Sequence, residues 1–438
     1  MSKIVTVKLW GTNIGYLGYS EGQSQIATFV YDENFMRSNI QISPLKMKYP
    51  PELHEFNNIS QNTFHGLPGV FADSLPDKFG NQLIDAFMAQ KTILNTQVTA
   101  LDRLMYVGNK GMGALEYHPL EFIEDLESSK TVLDVSLLSE LSDMVIRRKS
   151  ELFDAFRDEK TKKDALRLLK IGSSAGGARA KALVATDKEN LFYDGTIDHG
   201  VNFRYWLLKF DTSENSDRDG KDPKGMTKVE YIYAHIAKNC GIKIPEVSFC
   251  EDGDDFHFMI ERFDRIKIKE KLNKLHYISW AGLEHADRDT TGAYSYEQIA
   301  LSLKQMKLGQ GALTELYKRA IFNIVGRNHD DHSKNFGFLM NKVGEWSFSP
   351  AFDMTYSFDP NGKWTKTHQI KLNTKQDDFT MKDLIAFGNT CNLSEKKSHE
   401  IIKKTIEAFD IFESMAEDLK VERLLLDTIS INLRRNIK

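Results

Sequence analysis

The chain has 438 residues, 41% of them apolar and 27% charged, with a formal charge of −4. This composition excludes a disordered polypeptide and supplies material for two or three hydrophobic cores. The slight negative charge excludes a global drive toward nucleic acid, so any DNA contact has to be local or come through a partner.

Three cysteines, Cys240, Cys250 and Cys391, show no C-x-x-C or other ligand spacing, which argues against a disulfide framework or a zinc site and suits a reducing compartment. The opening stretch MSKIVTVKLWG lacks the apolar centre of a signal peptide. No apolar run approaches the ~20 residues that a membrane helix needs. The expected location is therefore the cytoplasm, without a membrane partner.

In chain order, IVTVKLWGTNIGYLGYS and QIATFVYDENF predict short strands broken at Gly11, Gly15 and Gly18. FHGLPGVFADSLPDKFGNQLIDAFMAQ then runs from a Gly and Pro loop into an amphipathic helix with Leu83, Ile84 and Phe87 at helical spacing. Residues 120 to 170 read as helical. Within 147 to 181 there are eleven Lys or Arg against five acids, so this run is either a solvated helix face or a surface facing phosphate. After 171 the pattern predicts a glycine loop, two strands, a helix and two more strands. From about 290 it predicts mainly helix, interrupted by a hairpin in NFGFLMNKVGEWSFSPAFD with Gly344 in the turn. Ile401, Ile402, Phe409 and Phe412 mark a helical core with no evident chemistry.

The densest chemistry lies in RNHDDHSKNFGF, residues 327 to 338. Asp330 and Asn335 stand four residues apart in the intervening count, the D-x-x-x-x-N spacing with which a protein-kinase catalytic loop presents a base and a Mg²⁺ ligand to one phosphate. Asp353, after the hairpin, stands where a D-F-G aspartate would, although Met354 and Thr355 follow it. Lys209 closes the apolar run YWLLK; it either snorkels to solvent or meets an anion, and Glu230 on the next helix is a kinase-like partner for it. Ser173, Ser174, Ala175, Gly176 and Gly177 offer small residues whose N–H groups could face phosphate, but a plain turn reads equally well. No P-loop signature occurs. His329, Asp330, Asp331 and His332 could ligate a transition metal, yet no second ligand cluster supports such a site.

With these residues in place, the chain resembles the HipA family of bacterial serine/threonine kinases, the toxin half of HipA and HipB type pairs. FHGLPGVFADSLPD, SSAGGARAKALV, IERFDR, NHDDHSKNF and SPAFD carry the resemblance over nearly the whole length. It implies an α+β, two-lobed protein-kinase-like fold. The expected parts are an N-terminal subdomain over 1–120 that docks the antitoxin, a helical connector over 121–164, a kinase N-lobe over 165–265 and a helical C-lobe over 266–438.

The resemblance further implies Asp330 as catalytic base, Asn335 and Asp353 as Mg²⁺ ligands, and Lys209 on the ATP phosphates, with ATP between the lobes. Glu261 and Phe263 are expected to contact adenine; the alternative is a strand end packed on the core with Arg262 and Asp264 outside. Ser173 or Ser174 is the expected autophosphorylation site, where a phosphate dianion beside the ATP phosphates would switch the enzyme off. His332 is expected to support the loop by hydrogen bonding, and Lys334 to face either the transferring phosphoryl group or solvent.

The implied partners are a HipB-like helix-turn-helix antitoxin, operator DNA through that antitoxin, and a protein substrate such as an aminoacyl-tRNA synthetase. Two rival functions remain: an idle corepressor acting with the antitoxin, and a small-molecule phosphotransferase.

Overall fold

The computed structural model describes residues 4–19, 26–90, 98–119, 131–147, 155–156, 161–172, 179–211 and 223–438. Two compact units emerge: Met1–Asp222 with Phe249–Ile278 and Met340–Gly344, and Pro223–Ser248 with Ser279–Leu339 and Glu345–Lys438.

The first unit begins with a strand of period two, β1 (Ile4–Leu9), which buries Val5, Val7 and Leu9 and turns Thr6 and Lys8 outward. Each such fully buried aliphatic side chain contributes about 1.5–3 kcal/mol. With β2 (Thr12–Tyr19), β3 (Ala27–Tyr31), β4 (Leu53–His54) and β5 (Leu115–His118) it forms an antiparallel sheet in the order β4-β3-β2-β1-β5. Only Gly11 breaks the chain here, in the turn between β1 and β2; Gly15 and Gly18 lie inside β2. Gly15 has φ 154°, and a Cβ on it would stand 2.2 Å from the Val30 carbonyl oxygen and 2.6 Å from the Phe29 ring. The glycine thus lets β2 lie close against β3, and on its other side it sits at the β1–β2 register shift at Val7/Lys8, rather than ending a strand.

A second sheet has the order β7-β6-β8-β10-β9, with β6 (Lys181–Thr186), β7 (Phe192–Asp194), β8 (Arg204–Lys209), β9 (Val247–Asp252) and β10 (Asp255–Glu261). The short β7 is one strand more than the hydrophobic pattern predicts. Three helices, Lys78–Gln90, Val135–Arg147 and Lys162–Gly172, share a core with this sheet through Phe79, Leu83, Leu141, Leu169, Val184 and Leu208. Leu83, Ile84 and Phe87 all point into it, as their spacing predicts. Asp77 starts the first of these helices by accepting the Gly80 N–H at 2.7 Å. In the described part of the basic run, Arg167 pairs with Asp164 at 2.8 Å and Lys170 with Asp194 at 2.7 Å, so these two charges are balanced within the protein.

Separately, β11 (Arg265–Ile268) and β12 (Lys271–Lys274) form a hairpin. Just before it, Asp264 is wholly buried between Arg262 and Arg265, whose side chains are 1% and 4% exposed. This reverses the alternative reading in which Arg262 and Asp264 lie outside. The reason is mutual satisfaction: Asp264 accepts from both guanidinium groups and from the Gly113 N–H, while Arg262 and Arg265 donate to the Gly111 carbonyl.

His276, fully buried, lies within 2.8 Å of the Ile42 carbonyl. Burial lowers its pKa from 6.5 to about 4. The unfolded chain therefore binds a proton first as the pH falls below 6.5, and the folded state loses stability through that interval. Between pH 6.5 and about 5 this one group costs about 2 kcal/mol. Denaturant unfolding of wild type and His276→Gln at both pH values checks this; the variant is expected to show the smaller acid loss. Equal losses would mean that another group titrates.

The second unit is mainly helical: Met226–Asn239, Tyr296–Gln305, Gly309–Val325, Met381–Thr390, Glu395–Ala408, Phe412–Asp418 and Arg423–Asn432. Tyr233 anchors its centre, edge-on to Phe322, Phe409 and Phe412 and donating to the Gly326 carbonyl at 2.7 Å. Ile401, Ile402, Phe409 and Phe412 are buried there, as their spacing predicts. The predicted hairpin is β14 (Gly337–Met340) and β15 (Trp346–Phe348), β13 being His276–Ser279, and Gly344 turns it at φ 86°. Among the described residues, no helix is long and apolar enough to cross a membrane.

Candidate active site

The loop that carries the dense motif starts where the Gly309–Val325 helix stops. At Gly326 a Cβ would stand 2.5 Å from the Phe409 ring, so only glycine allows that ring to seal the helix end. Arg327 follows with φ 56°, a left-handed residue that turns the chain out of the helix. Residues 328 to 332 have no regular secondary structure, Ser333–Asn335 form a single 3₁₀ turn, and β14 begins at Gly337.

The two adjacent aspartates face different surroundings. Asp330 has a side chain 46% exposed, whereas that of Asp331 is 0% exposed. The Asp330 backbone is held at both ends: its N–H donates to Ser357 Oγ at 2.9 Å, and its carbonyl accepts from Asn335 Nδ2 at 2.8 Å. The second bond orients the Asn335 amide, because the nitrogen is used on the loop and Oδ1 is left as the acceptor.

Asp353 lies beyond β15 at φ 52°, a region costly for a residue with a side chain and common at functional sites. Its carbonyl accepts from Asn328 Nδ2 at 3.4 Å, which joins it to the same loop. His332 Nε2 is 4.0 Å from Asp330 Oδ1, beyond hydrogen-bond reach, so its expected bonding role is not made to that carboxylate. Burial lowers the His332 pKa; the carboxylates of Asp330 and Asp353 oppose that shift, and Arg288 and Lys334 add to it. Lys334 lies half-buried in the 3₁₀ turn.

The approach to Asp353 rests on a buried pair in the Gly309–Val325 helix. Glu315 accepts from Arg319 Nε and Nη2 at 3.0 and 2.9 Å and from the Lys243 N–H at 3.0 Å. Arg319 in turn donates to the Ser349 carbonyl at 2.6 Å and lies 4.2 Å over the Phe348 ring. Glu315→Gln leaves a buried guanidinium without its counter-charge and is expected to cost about 3 kcal/mol. A denaturant midpoint within error of wild type would show that the pair holds nothing in place.

In the first unit, Lys209 ends β8, 6% exposed, with Nζ 5.9 Å from the Phe258 ring centre. Across the strands it faces Lys181, whose ammonium is 3.1 Å from Asp77. The 6% exposure of Lys209 speaks against the snorkelling alternative. Glu261 ends β10 and pairs with Arg204 at 3.0 Å, while Phe263 is half-buried beside Tyr277. In the second unit, Glu230 is buried on the Met226–Asn239 helix. Ser173, Ser174, Ala175, Gly176 and Gly177 lie outside the described residues. No group of three His, Cys, Asp or Glu able to hold a metal occurs among the described residues. Structural contributors that spacing did not reveal are Asn328, Ser357 and Glu315. Only Asn328 lies within the motif; the others carry no local signal.

Two family profiles cover most of the sequence: the HipA N-terminal domain matches residues 5–118 and the HipA-like C-terminal domain residues 173–411. The chain belongs to the HipA family. Its fold is shared with the HipA of Shewanella oneidensis MR-1, solved with HipB and operator DNA, at TM-score 0.68 and 14% identity over 98% of this chain and 95% of that one. A Haemophilus influenzae protein described as a putative kinase is 25% identical over 225 residues, 45% of this chain. The match spans 63% of that relative's length. This HipA-family chain is thus mixed helix and sheet, with the fold of that HipA.

Proposed function

We propose that this HipA-family protein is an ATP-dependent serine/threonine protein kinase and the toxin of a toxin–antitoxin pair. The observation that carries the reading is the joint fixing of Asp330, Asn335 and Asp353. One amide bridges the first two, and Asn328 ties the third to the same loop.

The donor set fits Mg²⁺: Asn335 Oδ1 and the Asp353 carboxylate are hard oxygen ligands. A magnesium ion that keeps water and phosphate oxygens needs no all-protein cage. Mg²⁺-bound ATP supplies the phosphoryl group and the charge neutralisation that its transfer requires. Asp330, half-exposed on a backbone fixed at both ends, orients a substrate hydroxyl and accepts its proton. Lys209 is the assigned cation for the ATP phosphates; its burial makes an anionic partner worth far more than it would be in water. Glu230 is assigned as the ion-pair partner of that lysine, Glu261 and Phe263 to adenine, and Lys334 to the transferring group. Autophosphorylation is assigned to Ser173 or Ser174. The proposed partners are a HipB-like antitoxin, which would bring operator DNA, and a protein substrate.

Purified protein incubated with Mg²⁺ and ATP, with a phosphatase-treated sample in parallel, is expected to gain one phosphate by intact mass, mapped to Ser173 or Ser174. A protein that binds ATP, acquires no phosphate and transfers none to a cell extract would instead be an idle corepressor.

A further inference from the structure

Asp331 is the motif residue that the proposed chemistry does not use, and it is the most thoroughly bonded carboxylate of the loop. Oδ1 accepts the Gln369 N–H at 2.8 Å, and Oδ2 accepts from the Tyr296 hydroxyl at 2.8 Å. Oδ2 also lies 2.9 Å from His368 Nδ1, which must carry the proton because a carboxylate only accepts. The chain of bonds continues. Tyr296 Oη accepts from Asn323 Nδ2 at 3.0 Å, Asn323 Oδ1 from Asn328 Nδ2 at 3.0 Å, and Asn328 Oδ1 from the Ser357 hydroxyl at 3.1 Å. Ser357 Oγ finally receives the Asp330 N–H. Tyr296, Asn323, Asn328, Asp331, Ser357 and His368 are all buried.

This circuit starts at Asp331 and returns to its neighbour Asp330, passing through two helices and, at Ser357, through the segment that follows Asp353, whose His368 and Gln369 bond Asp331 directly. Buried networks of this kind are rigid, because every bond broken leaves another polar group unpaired in a low-dielectric interior. We propose that Asp331 is a positioning residue that locks the catalytic loop to residues 357–370, so that the Asp330 carboxylate stands in its working orientation before substrate arrives. The positioning of chemistry rests on the kinase reading above; the locking of the two segments does not.

Two variants and two readouts test it. Asp331→Asn removes the charge at nearly constant volume, and Tyr296→Phe deletes one bond of the circuit and serves if the first variant fails to fold. Hydrogen exchange read by mass spectrometry is expected to show faster exchange in residues 328–335 and 366–371 together, with the Gly309–Val325 helix unchanged. Where wild type transfers phosphate, kcat is expected to fall about 10- to 100-fold with the KM for ATP unchanged, since orientation and not binding is lost.

A merely structural role would lower the melting temperature and leave the kcat of the folded fraction near wild type, which overturns the proposal. Loosening of 366–371 alone, with 328–335 still protected, also overturns it. If wild type transfers no phosphate, the kinase reading fails, and the exchange pattern by itself still decides whether Asp331 joins the two segments.

Discussion

Replacement of Asp330 by alanine is expected to lower phosphoryl transfer by at least about 100-fold while leaving the fold and ATP binding intact. The size follows from the proposed role: a carboxylate that orients and deprotonates the attacking hydroxyl has no substitute within reach in a loop whose other aspartate is buried and committed to Tyr296, His368 and Gln369. The lack of a stability cost follows from exposure. The side chain is nearly half solvent-accessible, and the bonds that hold the residue in place come from its backbone N–H and carbonyl, which alanine keeps. Rates of autophosphorylation and of transfer to substrate, measured beside nucleotide affinity and melting temperature, separate these effects. Transfer within a few-fold of wild type in a well-folded variant would remove Asp330 from the chemistry.

The largest stability effect is expected at Asp264→Ala, at about 3–5 kcal/mol. Burial alone would raise the Asp264 pKa, but Arg262 and Arg265 and the Gly113 N–H hold it well below the usual carboxylate range. Burial, and then the neighbouring Arg262, pulls Arg265 down to about 10 even with Asp264 present. Without the carboxylate, two guanidinium groups are left facing each other in the interior with only carbonyl oxygens as partners. The sign with pH is equally defined. The folded pKa is depressed, so the contribution is full above the unfolded value near 4 and is lost as the pH falls toward the folded one. Denaturant unfolding of the first unit at neutral pH is the measurement; a loss under about 1 kcal/mol would mean that water reaches the cluster in the variant.

These two aspartates also mark the limit of what residue order can say. Alternation in Ile4–Leu9 and the 3.6 period of Leu83, Ile84 and Phe87 are local properties, and they are legible because the same residues that set the pattern form the element. The spacing of Asp330 and Asn335 is legible for the same reason: the loop that contains both is a single short segment, and an amide does reach back to the Asp330 carbonyl.

The fates of Asp331 and Asp264 are not written locally. The sequence shows two equivalent aspartates side by side. One is buried and the other exposed because the bonding partners of Asp331 lie 35, 37 and 38 residues away, and those of Asp264 include a glycine 151 residues away. Gly15 misleads in the same sense, since its reason for being glycine is the backbone of a different strand.

By itself, then, the order of residues determined the secondary-structure periods, the HipA family and the short motifs. Which polar side chains could be taken out of water was decided only when distant segments met, because a buried charge is tolerable only beside the groups that satisfy it.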